Sequence, residues 1–158
     1  RGLGDVYKRQ YFSIRANAFD YEKMAMGRDK LEYFIDDYKN KKSLGTITNT
    51  EEDELKDMRI VQEMYARGYD FMPIDIYRAK AHRFQIIEGK LMPSIDSIEG
   101  LGDKAADAVV DAAVQGRFLS KDDFRDRTKV SKTVIDLMDK LGLFGDIPQS
   151  NQISLFDF

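Results

Sequence analysis

The chain of 158 residues has no cysteine. That excludes a disulfide framework and thiolate-bound zinc, and it fits a reducing compartment. It has one histidine, His82, set between Lys80 and Arg83. A lone imidazole builds neither a metal centre nor a catalytic triad by itself. It reads as a surface or half-packed side chain, with a phosphate contact as the lesser option. Only three prolines interrupt the chain, which leaves long stretches free to be helical. No apolar run reaches the length of a bilayer span, and no apolar stretch follows the charges at the amino end, so neither a membrane anchor nor a secretory signal is expected. A strong charge of one sign is also missing. The net charge of −3 makes no global case for nucleic acid. A cytoplasmic protein of about one domain, with a sizeable core, is the expectation from length and from 42% apolar residues.

What is present is local. Residues 11–70 carry ten bases and thirteen acids, and residues 71–145 carry twelve of each. Within the second region the bases cluster. Arg78 to Lys90 has four bases against Glu88, and Arg117 to Lys132 has six against three acids. Local basic patches, not net charge, set phosphate affinity.

Helical periodicity runs from about Asp20 to Lys42, with Met24, Leu31, Phe34, Ile35 and Tyr38 on one side and Gly27 as a weak point. A second helix is expected to start at a Thr50 cap, with Asp53 three residues on, and to close at Gly68. The acids Glu51 to Glu54 suit a helix's first turn better than a metal site. Residues 74–78 and 84–88 read as short strands, the second followed by the turn signal Glu88-Gly89-Lys90. Beyond Ile98 the helices return. Ser120 and Ser131 read as amino caps, and Gly142 ends the last run. The fold expected is mainly α with a small β element.

The stretch "SIEGLGDKAADAVVDAA" carries Gly100-Leu101-Gly102 and then a helix. Leu101, Ala105, Ala106, Val109, Val110 and Ala113 fall on one side of it. Two glycines about one apolar residue suit a tight hairpin, with Leu101 turned inward and the bare backbone open to close approach. The amides of Gly102, Asp103 and Lys104 then stand at a helix amino terminus, which is a ready anion site. This resembles a helix-hairpin-helix, a module that grips the DNA backbone without reading sequence. The DNA-contacting set expected is Gly100, Gly102, Asp103 and Lys104, with Ser131 and Lys132 at the end of the second basic stretch. The alternative is a plain helical corner. Asp103, Asp107 and Asp111 form a stripe that must turn from any phosphate.

The chain ends "QSNQISLFDF". Gln152, Ile153, Ser154, Leu155 and Phe156 resemble the clamp-binding pentapeptide of bacterial replication proteins, with Ile153 in place of the usual leucine. A polar linker, "GDIPQSN", gives it reach.

Together, "YFSIRANAFDYEKM", "RGYDFMPIDIYRAKAHRFQIIEGKLMPSIDSIEGLGDKAA", "GRFLSKDDFRDRTKVSKTVIDLMDKLG" and "NQISLF" resemble the carboxyl-terminal end of the PolC-type DNA polymerase III α subunit of Gram-positive bacteria. The resemblance implies an end-of-fingers helical segment over 11–69, a duplex-binding region with a helix-hairpin-helix over 70–146, and a linker with a sliding-clamp-binding tail over 147–158. Its implied partners are duplex DNA, the sliding clamp and the rest of the polymerase chain, with no membrane. That family adds nucleotides with two Mg2+ ions held by palm aspartates. No segment here resembles the palm, so no catalytic residue, metal ligand or cofactor is assigned to this chain, and the piece is expected to be inactive alone. A stand-alone repair accessory with the same hairpin is the alternative. The first ten residues, "RGLGDVYKRQ", can be encoded by a string that resembles a sequencing adaptor read in frame. They are expected to be an artefact that lies outside the fold.

Overall fold

The computed structural model describes residues 19–150. The adaptor-like decapeptide and the clamp-like residues Gln152 to Phe156 lie outside them. The elements are α1 (Tyr21–Met24), α2 (Arg28–Ser43), α3 (Asn49–Ala66), β1 (Gln85–Ile87), β2 (Lys90–Met92), a 3-10 turn (Ile95–Ser97), α4 (Asp103–Val114), α5 (Lys121–Thr128) and α6 (Lys132–Lys140). The fold is mainly α with one small antiparallel sheet, as expected.

A single helix over 20–42 is corrected to two. Gly27 takes φ +106° and serves as the start of α2. The backbone groups this frees do not stay unpaired. Tyr65 of α3 donates from its hydroxyl to the Met24 carbonyl at 3.0 Å, and the same oxygen accepts from the Gly27 amide at 3.3 Å. A glycine supplies the left-handed conformation, and a distant tyrosine heals the break. Burial pushes the Tyr65 hydroxyl up to about 12, so it stays a donor at neutral pH.

The amino cap of α3 lies two residues earlier than expected. Thr48 and Glu51 form a reciprocal capping box, at 3.1 and 3.2 Å, where Thr50 and Asp53 were the reading. Gly68 follows the end of α3 at φ +86°, as expected. The α2–α3 pair buries Leu31, Ile35 and Tyr38 against Leu55, Met58, Val61 and Met64. Lys23 crosses onto this pair. It donates to the Tyr38 hydroxyl at 2.7 Å and to Glu54 at 3.2 Å, and Tyr38 donates to Glu54 at 3.0 Å. Burial works against the Lys23 ammonium, but Tyr38, Glu54 and Asp20 outweigh it and its pKa rises.

Of the two expected strands, 84–88 is found as β1 and 74–78 is corrected to a turn. Asp75 accepts from the Tyr77 amide at 2.9 Å, and its carbonyl accepts from Arg78 and Ala79. Ile74 and Ile76 are buried, so their apolar alternation comes from packing without a ladder partner. The β1–β2 hairpin closes on Glu88 and Gly89, both at positive φ. This is the two-residue turn that matches strand twist.

The second core gathers the remaining helices. Leu101, Ala106, Val109 and Ala112 are buried with Phe118, Phe124, Val130, Val134, Ile135 and Met138. Ala105, Val110 and Ala113 pack at its edge, so the predicted inward face of α4 is the observed one. Phe124 lies at its centre, edge-on to Phe118 and Phe144 at 4.8 and 5.0 Å between ring centroids. Ser120 and Ser131 accept from the amides of Asp123 and Val134, at 2.9 and 3.3 Å, and cap α5 and α6 as expected. Gly142 ends α6 at φ +77°. Among the described residues no helix is long and apolar enough to cross a membrane.

Candidate nucleic-acid interface

The region from Ile98 to Lys132 contains the same local structure twice. In the first copy Gly100 takes φ +83°, Leu101 is buried, and Gly102 is extended at φ −74°, ψ 176° before α4. In the second, Lys129 takes φ +62°, Val130 is buried, and Ser131 is extended at φ −65°, ψ 153° before α6. A left-handed residue reverses the chain, an apolar residue anchors the turn, and an extended residue starts the helix. Each copy thereby presents a helix amino terminus beside a turn. No fixed repeat is legible in the sequence, because only the apolar anchor is shared in chemistry.

The copies meet. A Cβ built on Gly100 would lie 3.2 Å from Cγ2 of Val134 in the first turn of α6. Gly100 is therefore required twice over, by its positive φ and by the approach of α6. Gly102 is different. Its φ suits any residue, and a Cβ there would meet nothing within 4 Å. The expectation that both glycines answer to backbone geometry is corrected: at Gly102 the fold makes no such demand.

The described site residues are all at this surface. Gly100, Gly102, Asp103, Lys104, Ser131 and Lys132 are exposed. The α4 amino terminus has no side-chain cap, which leaves its first amides to solvent or to a ligand. Among the described residues Lys104, Lys129 and Lys132 enter no ion pair. The second basic stretch is not uniformly available, however. Arg127 donates to the carbonyls of Ala112, Gly116 and Arg117, stacks on Phe118 at 4.4 Å, and ties α5 to the end of α4. Lys121 pairs with Asp139 at 2.9 Å. These two bases hold the fold. Lys129 was not singled out from sequence; its left-handed backbone and exposure identify it only in three dimensions.

The flank of the first hairpin is acidic. A cleft of about 980 Å³ separates it from α3, and Asp20, Glu54, Asp57, Asp96, Glu99 and Asp103 are among its lining residues. Burial raises the Asp57 pKa, with Asp53 and Glu54 adding to it. Burial likewise raises Asp20, against its bonds to Lys23. The count of carboxyls lining the cleft, rather than these burial-driven shifts, makes this flank unfavourable to phosphate.

His82 is exposed, as the surface reading expected, and three aspartates surround it. Its Nδ1 lies 3.0 Å from Asp96 and 3.8 Å from Asp103, and its Nε2 lies 2.8 Å from Asp107. Two members of the aspartate stripe, Asp103 and Asp107, thus turn toward the histidine loop.

The segment after α6 is strapped to α5. The Lys121 and Asp122 amides donate to the carbonyls of Pro148 and Gln149, at 2.9 and 3.1 Å. This satisfies amides at the α5 start.

Residues 68–153 match a family model described as the helix-hairpin-helix motif. The chain is 39% identical over 151 residues to the PolC-type DNA polymerase III of Streptococcus thermophilus (strain ATCC BAA-491 / LMD-9), and 40% identical over 152 residues to that of Streptococcus pyogenes serotype M1. Each alignment covers 96% of this chain and 10% of the relative. The chain therefore belongs to the helix-hairpin-helix motif family, and its similarity fits a piece of a PolC-type DNA polymerase III about a tenth the length of the whole.

Proposed function

We propose that this chain is the duplex-holding and clamp-tethering end of a cytoplasmic replicative DNA polymerase, and that it grips DNA through backbone phosphates. The observation that carries the reading is the meeting of two hairpins at Gly100 and Val134. The amides at the start of α4 have no side-chain cap, and among the described residues Lys129 and Lys132 enter no ion pair. Amides at a helix start and lysines on one surface suit phosphates and read no base edge. Gly100, Gly102, Asp103, Lys104, Ser131 and Lys132 would contact the backbone. The residues Gln152 to Phe156 would engage the sliding clamp. Tethering of that kind works through effective concentration, so a weak contact suffices. Nucleotide addition, with its Mg2+ ions, would fall to the rest of the polymerase.

The test of the grip is fluorescence anisotropy of the chain with duplexes of two unrelated sequences. Affinity should be equal for both and fall steeply with salt. Gly102→Val should weaken binding while the thermal midpoint barely moves, because the fold leaves space for the side chain. Unchanged affinity in that variant would reduce the hairpin to a helical corner. For the tail, Leu155→Ala with Phe156→Ala should abolish binding to a bacterial sliding clamp, and retained binding would sink that assignment.

A further inference from the structure

We propose that His82, Asp96 and Asp103 form a binding site for a divalent transition-metal ion, with Asp107 as the carboxylate that orients the imidazole.

The main chain builds the site. The amides of Ile95 and Asp96 donate to the carbonyls of Lys80 and Ala81, at 2.9 and 3.1 Å. The loop carrying His82 is thereby pinned to the 3-10 turn carrying Asp96. The Asp96 side chain is 7% exposed. One of its oxygens accepts a short bond from the Ser94 hydroxyl, and the other faces His82 Nδ1 at 3.0 Å. Asp103 opens α4 and brings its carboxylate to 3.8 Å from the same nitrogen. One donor atom from each of the three residues lies within 4.8 Å of the others. An ion bound tetrahedrally at about 2.1 Å holds its donors about 3.4 Å apart. The two separations from Nδ1 bracket that value, and the Asp103 side chain, 85% exposed, is free to close the third.

Asp107 completes the logic. It lies 2.8 Å from Nε2, so it can accept the Nε2 proton and leave the Nδ1 lone pair for a metal. Metal-binding histidines typically present this carboxylate–imidazole arrangement.

Charge favours a cation strongly. Among the described residues Asp96, Asp103 and Asp107 pair with no lysine or arginine, only with His82. Three carboxylates against one imidazole outweigh the roughly half positive charge at the start of α4. The competitor for Nδ1 is a proton, since the bond from Asp96, then that from Asp107, holds the imidazole above its ordinary pKa despite slight desolvation. One nitrogen with carboxylates suits Zn2+ or Mn2+ better than all-oxygen Ca2+ or Mg2+ sites.

The metal site stands without the DNA reading, but one consequence rests on it. An ion here would cancel the charge of Asp96 and Asp103 beside the first hairpin and make that hairpin hospitable to phosphate.

Calorimetric titration of the chelator-stripped full chain with Zn2+ and with Mn2+ tests the site. One ion per chain is expected, with no saturable heat from Mg2+ at the same concentration. Asp103→Asn, an exposed change that leaves the core alone, should remove the binding. Asp107→Asn should keep the stoichiometry and weaken affinity by roughly 10–100-fold. No saturable binding of either ion, or equal binding in the parent and in Asp103→Asn, overturns the proposal. In a second arm the ion should strengthen duplex affinity in the parent but not in Asp103→Asn. An ion that binds and leaves duplex affinity unchanged overturns the coupling to DNA alone.

Discussion

The two hairpins share a backbone path and differ in nearly everything attached to it. The first uses glycine for the left-handed position, has no side-chain cap, and borders an acidic cleft. The second uses Lys129 for the left-handed position, is capped by Ser131, and carries Lys132 in its first turn. The first therefore offers backbone with little charge, and the second offers charge with a partly satisfied backbone. Under the proposed phosphate grip, long-range attraction would come from the second hairpin and close fitting from the first.

The largest expected effect breaks the comparison if it is absent. Removing Lys129 and Lys132 together, as alanines, takes away two contacts to charged groups, each worth about 1.5–3 kcal/mol. Duplex affinity should fall about 100-fold, and the salt slope should flatten by about 2. Lys104→Ala should cost less, about 10-fold or below, because the acidic flank beside it already weakens its pull on phosphate. Anisotropy titrations from low to moderate salt measure both. Equal losses at the two hairpins would dissolve the division of labour.

Next in size is Gly100→Val. A β-branched side chain at φ +83° carries about 1–3 kcal/mol of strain, and the 3.2 Å approach to Val134 adds overpacking. A loss of about 3 kcal/mol in urea denaturation is expected, with the two hairpins pushed apart. Gly102→Val, two residues on, should lose no more than about 1 kcal/mol, the cost of a poor helix cap. Two like substitutions would then separate a glycine kept for the fold from one the fold does not need.

Smaller again is the cap. Ser131→Ala should destabilise by about 1 kcal/mol, because the Val134 amide loses its acceptor. The reciprocal change, Gly102→Ser, should stabilise by a few tenths of a kcal/mol and weaken DNA binding, since a serine oxygen competes with phosphate for the same amides. A serine that leaves affinity intact would show that the α4 amides do not face the duplex.

Features written in adjacent residues were legible before any coordinates. Leu101 between two glycines, Ser120 and Ser131 ahead of apolar runs, and Gly142 after one all sit where local pattern placed them. Features written across the chain were not. The break at Gly27 is stable because Tyr65, 38 residues away, bonds both sides of it. The His82 cluster joins residues 14 and 25 positions apart, and no spacing rule links them. Arg127 counted as a base of the expected DNA-binding stretch, but five carbonyl, carboxylate and ring contacts turn it inward. Charge along the chain predicts a field only for side chains that remain free. The hairpin duplication was hidden for a related reason. A left-handed residue is easily read when it is glycine and is invisible when it is lysine.

That last point yields the most discriminating prediction. A non-glycine residue held at left-handed φ costs about 1–2 kcal/mol, offset in part by the greater entropy glycine loses on folding, about 0.5–1 kcal/mol. Lys129→Gly should therefore raise stability by roughly 0.5–1 kcal/mol, with the helix-ending bond from its amide to the Arg125 carbonyl, 2.8 Å, retained. The same change removes an ammonium from the hairpin proposed to face DNA, so duplex affinity should fall and the salt slope should drop by about 1. Stability and binding move in opposite directions only if Lys129 is kept for phosphate at the expense of the turn. A variant that is more stable and binds equally well would leave the lysine without a role at this surface. A variant that is less stable would mean that the lysine stem contributes packing the exposed ammonium conceals.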